Sequence, residues 1–149
     1  IAMIDRGTPY RVNAHIINYD ILEKRLVDLE ASTEEKYDYV VFDESHYLKN
    51  LKAKRTKAAF KLCSIAKKRV FLSGTPVTKS PIDLYPILKM IHHPLADNWY
   101  YYATTFCNAK KKRIAGREVW IFSVSNPEKL SSILKQTCIM FYPWKILTM

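Results

Sequence analysis

The sequence predicts an α/β fold with a mainly parallel sheet flanked by helices. Two apolar runs, at 37–42 and 70–72, each end at small or polar residues, as buried strands do where they leave a sheet. A third run lies at 14–19, and amphipathic stretches separate the three. Strands that alternate with helices favour parallel pairing through right-handed crossovers. Ligands of open α/β sheets bind at the carboxyl ends of such strands.

The composition fits one domain with its own core, because 48% of the 149 residues are hydrophobic. The apolar runs are short and interrupted by charge, so neither a membrane span nor a leader is predicted. We therefore expect a soluble, intracellular protein. The sequence does not distinguish between the nucleus, a bacterial or archaeal cytoplasm and a virus-infected cell. Cys63, Cys107 and Cys138 lie far apart, which favours core thiols over disulfides or zinc.

The formal charge of +10 is unevenly distributed. Residues 20–50 contain nine acidic and four basic side chains, whereas residues 51–149 contain four acidic and eighteen basic ones. A basic excess of this size favours a polyanionic partner such as nucleic acid. Solubility alone is the competing explanation, because it also favours a net charge.

The remaining elements follow from periodicity and from capping residues. Asp20 can cap a helix over 21–30, and a second amphipathic helix is predicted from 51 to 66, ended by the cations at 67–69. A third helix begins at Pro81 and runs to 91, with a possible kink at Pro86. The aromatic stretch 97–106 is predicted to be helical. A small hairpin over 110–122, a helix from 126 and a strand at 138–141 follow.

Asp43 and Glu44 directly follow the strand over 37–42. One carboxylate can hold a magnesium ion through water while the other orients or deprotonates an attacking water, as phosphoryl transfer requires. The competing interpretation is a solvated acidic pair at a strand end. His46, Ser73 and Thr75 strengthen the catalytic interpretation, because they add an imidazole and two hydroxyls at the two strand tips.

These residues resemble a known family. The segment 43–50, Asp-Glu-Ser-His-Tyr-Leu-Lys-Asn, resembles the acidic Walker B (DEAH-like) box of superfamily-two helicases, in the form found in Swi/Snf-type DNA translocases. The segment 72–76, Leu-Ser-Gly-Thr-Pro, resembles their third motif, and 81–85 resembles the segment that enters the protrusion of their first lobe. The segment 16–20 resembles their motif upstream of the acidic box. The resemblance covers roughly 12–140, with the motifs in the family's order.

The resemblance implies the carboxyl-side half of a first RecA-like lobe. It divides the chain into a sheet core over 1–76, a helical protrusion with a small hairpin over 77–137, and a return strand with an atypical tail over 138–149. The implied cofactors are ATP and Mg²⁺. The implied partners are DNA, expected to be duplex, and a second RecA-like lobe, with no membrane.

The resemblance also assigns roles to individual residues. Asp43 would bind the magnesium ion of ATP through a water molecule, and Glu44 would position the water that hydrolyses ATP. His46, Ser73 and Thr75 would couple the nucleotide state to the grip on DNA. The expected DNA contacts are Asn18, Tyr19, Lys49 and Lys79.

The chain departs from the family at its phosphate site. Only Gly7, Gly74 and Gly116 are present, so no Gly-x-x-x-x-Gly-Lys-Ser/Thr loop can be written in this sequence. We therefore expect a fragment of an ATP-dependent duplex DNA translocase or remodelling enzyme that is inactive alone. The alternative is a non-catalytic nucleic-acid-binding or assembly module derived from the same fold.

Three weaker candidates remain. His92 and His93 could suggest a metal pair, but adjacent helical residues face different directions. The aromatics at 99–102 could stack on bases, although core packing is favoured. The cations at 110–113, beside Trp120, could contact phosphates, and a solvated loop is an equal alternative.

Overall fold

The computed structural model describes residues 2–3, 14–31 and 37–137. The chain divides into two units, residues 1–74 and 75–149, and each is described by itself. The described residues of the first unit form four strands, two helices and one 3-10 turn. In chain order these are β1 (Ala2–Met3), β2 (His15–Ile16), α1 (Tyr19–Ala31), β3 (Tyr37–Phe42), the turn Ser45–Leu48, α2 (Lys54–Ser64) and β4 (Ala66–Phe71).

β3 and β4 pair in parallel, from Tyr37 opposite Ala66 to Phe42 opposite Phe71, and α2 lies between them in the chain. This βαβ arrangement confirms the α/β class and the parallel pairing. The prediction of one sheet with three strands was wrong for the described residues, because β2 pairs in parallel with β1 instead. Apolar periodicity identifies strands, but it carries no information about their partners.

Two predicted boundaries were wrong. α1 begins at Tyr19, and Asn18 rather than Asp20 caps it, since the Asp20 backbone N–H donates to Asn18 Oδ1 at 3.0 Å. The cations at 67–69 do not end a helix, because α2 stops at Ser64 and β4 begins at Ala66. Cross-strand contacts stabilise this arrangement, with Lys67 Nζ 2.9 Å from Asp38 Oδ1.

The core of the first unit contains the buried apolar side chains of α1 and α2, together with those of β3, β4 and the 3-10 turn. α1 and α2 contact each other, and α2 also contacts β4. The buried apolar side chains share helical or strand spacing and are Leu22, Leu26, Leu29, Phe42, Leu48, Ala58, Ala59, Leu62, Cys63 and Ala66. Burial of Cys63 confirms the prediction of a core thiol there.

The second unit is mainly helical. Its elements are the 3-10 turns Pro81–Leu84 and Pro94–Ala96, the helices α3 (Tyr85–Met90), α4 (Trp99–Cys107) and α5 (Pro127–Thr137), and the strands β5 (Lys110–Ile114) and β6 (Arg117–Ile121). The predicted helix from 81 to 91 is divided between Leu84 and Tyr85 into the 3-10 turn and α3, and Pro86 is tolerated because it lies in the first turn of α3.

One apolar cluster joins the helices of the second unit. Tyr102 and Phe106 on α4 are fully buried there with Leu130 of α5, and the Tyr102 hydroxyl donates to the Pro81 carbonyl at 2.7 Å. Cys107 is also buried. The aromatic stretch is therefore only partly core, because Tyr100 and Tyr101 remain exposed.

β5 and β6 form the predicted antiparallel hairpin. Its two turn residues, Ala115 and Gly116, have φ values of 47° and 79°, as a two-residue turn between right-twisted strands requires. The return strand predicted at 138–141 and the tail lie outside the described residues. Within the described part of the chain, no helix has the length and apolar character needed to cross a membrane.

Candidate active site at the strand tips

The carboxyl ends of β3 and β4 are joined by backbone hydrogen bonds beyond the strands themselves. The Leu72 N–H donates to the Phe42 carbonyl at 2.9 Å, and the Ser45 N–H donates to the Leu72 carbonyl at 2.7 Å. These two bonds fix the chain after Phe42 beside the chain after Phe71. The acidic box (residues 43–50) and the tip of β4 therefore occupy one edge of the sheet.

Asp43 and Glu44 form the turn between β3 and the 3-10 segment. The Glu44 N–H donates to Asp43 Oδ1 at 2.9 Å, and Glu44 adopts the left-handed region with φ 47° and ψ 48°. A residue with a side chain pays roughly 1–2 kcal/mol for this conformation. Strained backbone of this kind is concentrated at functional sites.

His46 links the two strand tips. Its Nδ1 atom lies 3.1 Å from Ser73 Oγ and 3.1 Å from Glu44 Oε2. The contact with Ser73 is a hydrogen bond, whereas the contact with Glu44 is a close approach of a ring nitrogen to a carboxylate oxygen, which is an ion pair when the imidazole is charged. One ring nitrogen thus reaches both Glu44 in the acidic box and Ser73, which lies two residues after the end of β4.

Tyr19 supports the acidic box from α1. Its hydroxyl donates to the Asp43 carbonyl at 2.8 Å, and its ring stacks on Phe42, which stacks in turn on Phe71. Burial raises the pKa of Tyr19 well above its ordinary value, and the negative charges of Asp43 and Glu44 raise it further. The phenol therefore stays protonated and keeps its hydrogen available to the carbonyl.

The 3-10 turn after Glu44 is anchored to α2. The Thr56 hydroxyl donates to the Leu48 carbonyl at 3.2 Å, and Arg55 Nε donates to the Tyr47 carbonyl at 3.0 Å. The guanidinium of Arg55 also lies over the Tyr47 ring, 5.6 Å from its centroid. Sequence reasoning missed both anchors, because a cation and a threonine at the start of a helix carry no signal of a partner eight residues earlier.

Comparison with known proteins identifies the family. The sequence profile of the SNF2-related domain matches residues 4–141, which is nearly the whole chain. The chain belongs to the SNF2-related domain family. The resemblance to the Swi/Snf-type branch of superfamily-two helicases is thereby confirmed.

Curated members of this SNF2-related family agree. Over 80% of its length, the chain is 34% identical to a SWI/SNF-related matrix-associated actin-dependent regulator of chromatin subfamily A-like protein 1 homolog of Caenorhabditis elegans. It is 32% identical, over 87% of its length, to the Bos taurus protein of that name. It is 27% identical, over 80%, to the Bos taurus DNA annealing helicase and endonuclease ZRANB3. The chain spans only 15%, 12% and 11% of these relatives, respectively.

The other predicted site residues of this SNF2-related chain are divided between the two units, with Asn18 and Lys49 in the first and Thr75 and Lys79 in the second. Asn18 is exposed and caps α1, and Lys49 is exposed directly after the 3-10 turn. Thr75 and Lys79 belong to the second unit, where the Lys79 N–H donates to Asp83 Oδ2 at 2.9 Å. Their proximity to the acidic box stays a prediction.

The donor set at the tip fits a hydrated magnesium ion. No group of three or more histidine, cysteine or acidic side chains could hold a metal among the residues that the structure describes. Magnesium keeps several waters and needs only one or two carboxylates together with substrate phosphates. Asp43 fits this requirement, because its side chain is exposed and, among the described residues, only Oδ1 accepts a hydrogen bond.

His92 and His93 do not form a metal site within the described part of the chain. His93 is buried, its Nδ1 accepts the Leu95 N–H at 3.1 Å, and its Nε2 lies 2.6 Å from the Thr137 hydroxyl oxygen. His93 therefore joins the turn at 94–96 to the end of α5, which is a structural role.

Proposed function

We propose that this chain is the carboxyl-side half of a first RecA-like lobe and supplies the acidic half of an ATP-hydrolysing site in an ATP-dependent duplex DNA translocase. The observation that carries the proposal is the position of Asp43 and Glu44 at a strand tip that His46 links to Ser73. Residues 77–137 correspond in this proposal to the helical protrusion of the lobe.

Each residue at the tip has a distinct task in this proposal. Asp43 would hold a magnesium ion through water, and the ion would supply positive charge to the phosphates of ATP. Glu44 orients the water that attacks, and its strained backbone together with the His46 contact restricts where the carboxylate can lie. Because His46 Nδ1 contacts both Glu44 and Ser73, movement of the carboxylate in this proposal is transmitted through the imidazole to the chain after β4.

The phosphate cradle is the missing part of the site. A phosphate loop needs successive glycine amides and a lysine, and this sequence contains no such combination. We therefore propose that the chain alone does not hydrolyse ATP at a useful rate. In this proposal the remaining catalytic groups come from a phosphate loop and from a second RecA-like lobe of the parent protein.

DNA is the proposed macromolecular partner. One relative's name describes a DNA annealing helicase, and eighteen of the 24 basic residues lie in the segment 51–149. Asn18, Tyr19, Lys49 and Lys79 are the proposed backbone contacts from the sequence. Tyr19 would act through its position beside Asp43, because its hydroxyl is already bonded to the Asp43 carbonyl. A DNA substrate implies an intracellular, DNA-containing compartment.

A chimera tests the proposal. This chain would replace the matching segment of the Caenorhabditis elegans relative, and DNA-stimulated ATP hydrolysis would be measured with and without Glu44→Gln. Because the amide cannot act as a base, we expect the substitution to lower the turnover number by about 10²-fold or more. Glu128→Gln on α5 is the matched control, since that carboxylate is also exposed but lies outside the acidic box.

Equal turnover in the Glu44→Gln and unmodified chimeras would contradict the catalytic role. An inactive chimera that still binds duplex DNA would instead favour the alternative, a nucleic-acid-binding module that lost catalysis. DNA-stimulated turnover by the isolated chain that disappears with Glu44→Gln would contradict the proposal that the chain is inactive alone.

A further inference from the structure

The hairpin of β5 and β6 has two unlike faces. All ten strand residues are exposed. The register places Lys110, Lys112 and Ile114 on one face together with Arg117, Val119 and Ile121, and we call this set the basic face. Lys111, Arg113, Glu118 and Trp120 share the opposite face.

Contacts within the second unit occupy the face opposite the basic face. Trp120 makes an edge contact with Trp99 of α4, with ring centroids 5.2 Å apart. Lys111 Nζ lies 5.7 Å from the centre of the Trp120 ring and 3.2 Å from Glu118 Oε2. The one acidic side chain of the hairpin is therefore neutralised on this face, and the tryptophan is held against α4.

The basic face has no comparable contacts. Lys110, Lys112 and Arg117 have no side-chain hydrogen bond or ion pair with any residue that the structure describes. The three aliphatic side chains between them are 39–51% exposed. A surface that combines cations with exposed aliphatic side chains is a candidate binding surface.

We propose that the basic face binds the sugar-phosphate backbone of duplex DNA. Three cations that share a hairpin face with no acidic side chain of the hairpin complement a polyanion. Lys110 and Lys112 are two residues apart on one strand, so their side chains start about 6.8 Å apart. The two flexible lysine side chains can therefore reach different phosphates of one DNA strand. The aliphatic side chains between the cations can contact the sugars.

The same face disfavours two other ligands. Single-stranded nucleic acid is bound through stacking on aromatic rings, and the basic face has none, because Trp120 lies on the other side. Reading of base edges needs side chains that pair with bases in a groove, whereas lysine and aliphatic groups here suit the backbone. Binding is therefore independent of sequence. The inference depends on the proposed function for the identity of the polyanion. The residues that carry it are different from those at the strand tips.

The experiment compares charge-matched variants of the whole chain. Binding of a short fluorescent duplex would be titrated at several salt concentrations for the wild type and for Lys110→Gln/Lys112→Gln/Arg117→Gln. The control, Lys89→Gln/Lys129→Gln/Lys135→Gln, removes three exposed charges of the same unit outside the hairpin.

We expect the basic-face variant to lose about three phosphate contacts and the control to lose none. A fourfold rise in salt should then weaken wild-type binding roughly 40-fold more than it weakens binding by the variant, from a slope of about 0.9 per contact. The charge-retaining variant Lys110→Arg/Lys112→Arg/Arg117→Lys should keep the wild-type slope. A photo-crosslinking residue at Val119 should crosslink to DNA, which tests the contact without removing any charge.

Equal salt slopes for the two triple variants would overturn the inference, and so would the absence of a crosslink from position 119. If the wild-type chain binds DNA but either of these results is found, the basic face is not the binding surface, and the proposal that DNA is the partner still stands. Tighter binding to an acidic peptide or to single-stranded DNA than to the duplex would also overturn it. If the wild-type chain does not bind DNA at all, the proposal of a DNA partner is itself contradicted.

Discussion

The imidazole of His46 connects two strand tips that are 27 residues apart in the chain, because its Nδ1 atom lies 3.1 Å from Ser73 Oγ. The same nitrogen lies 3.1 Å from Glu44 Oε2. A change at any one of these three side chains therefore alters the contacts available to the other two. This relationship gives the acidic box a physical connection to β4.

A double-mutant cycle measures that connection. We expect His46→Ala and Ser73→Ala to show a coupling free energy of about 1 kcal/mol in urea denaturation, because each substitution removes the same hydrogen bond. Ser64→Ala is the control, since among the described residues the Ser64 hydroxyl bonds only the Lys61 carbonyl of its own helix. Additive effects of the two substitutions would show that the contact contributes no free energy.

Phe42 and Val41 occupy opposite faces of β3 and should respond differently to truncation. Phe42 is 4% exposed and stacks on Phe71 with ring centroids 4.9 Å apart, whereas Val41 is 55% exposed. We expect Phe42→Ala to lower the free energy of unfolding by about 3–5 kcal/mol through lost burial and a cavity. Val41→Ala should change it by no more than about 0.5 kcal/mol. Similar losses from both would contradict the assignment of the buried face.

His93 should make stability depend on pH. Burial lowers the pKa of His93 below its ordinary value of 6.5, although the nearby Asp97 carboxylate opposes the effect. The unfolded chain therefore binds a proton at a higher pH than the folded chain does. The free energy of unfolding should be at its full value above pH 6.5 and should decline as the pH falls toward the lowered pKa.

Matched variants isolate this contribution. Chemical denaturation at pH values above and below 6.5 should show a smaller decline for His93→Gln than for the wild type, because glutamine does not titrate. The exposed neighbour provides the control, and His92→Gln should keep the wild-type dependence. An unchanged dependence in His93→Gln would contradict the prediction.

Local sequence was sufficient for features that depend on neighbouring residues. Apolar runs that end at polar residues located β3 and the end of β4. The predicted hairpin over 110–122 was also correct, and Gly116 is one of its two turn residues, because glycine readily adopts a positive φ. The acidic box and the third motif were sufficient to predict the family, which the profile match over 4–141 confirmed.

Features that depend on distant residues were not predictable in this way. The cations at 67–69 are compatible with the end of a helix, and only the pairing of β4 with β3 places them in a strand. Tyr19 carries no local sign that its hydroxyl would bond the Asp43 carbonyl 24 residues later. The bonding distance depends on how α1 approaches β3, which is a property of packing.

The amino-acid sequence by itself determined which residues this protein offers for chemistry, namely an acidic pair, an imidazole and two hydroxyl-bearing residues at predicted strand ends. Only the tertiary structure decided that His46, Glu44 and Ser73 meet at one nitrogen, and that the hairpin cations divide between an occupied and an open face. The physical reason is that periodicity fixes the direction of a side chain relative to its own strand. Strand pairing and helix packing decide what that side chain contacts.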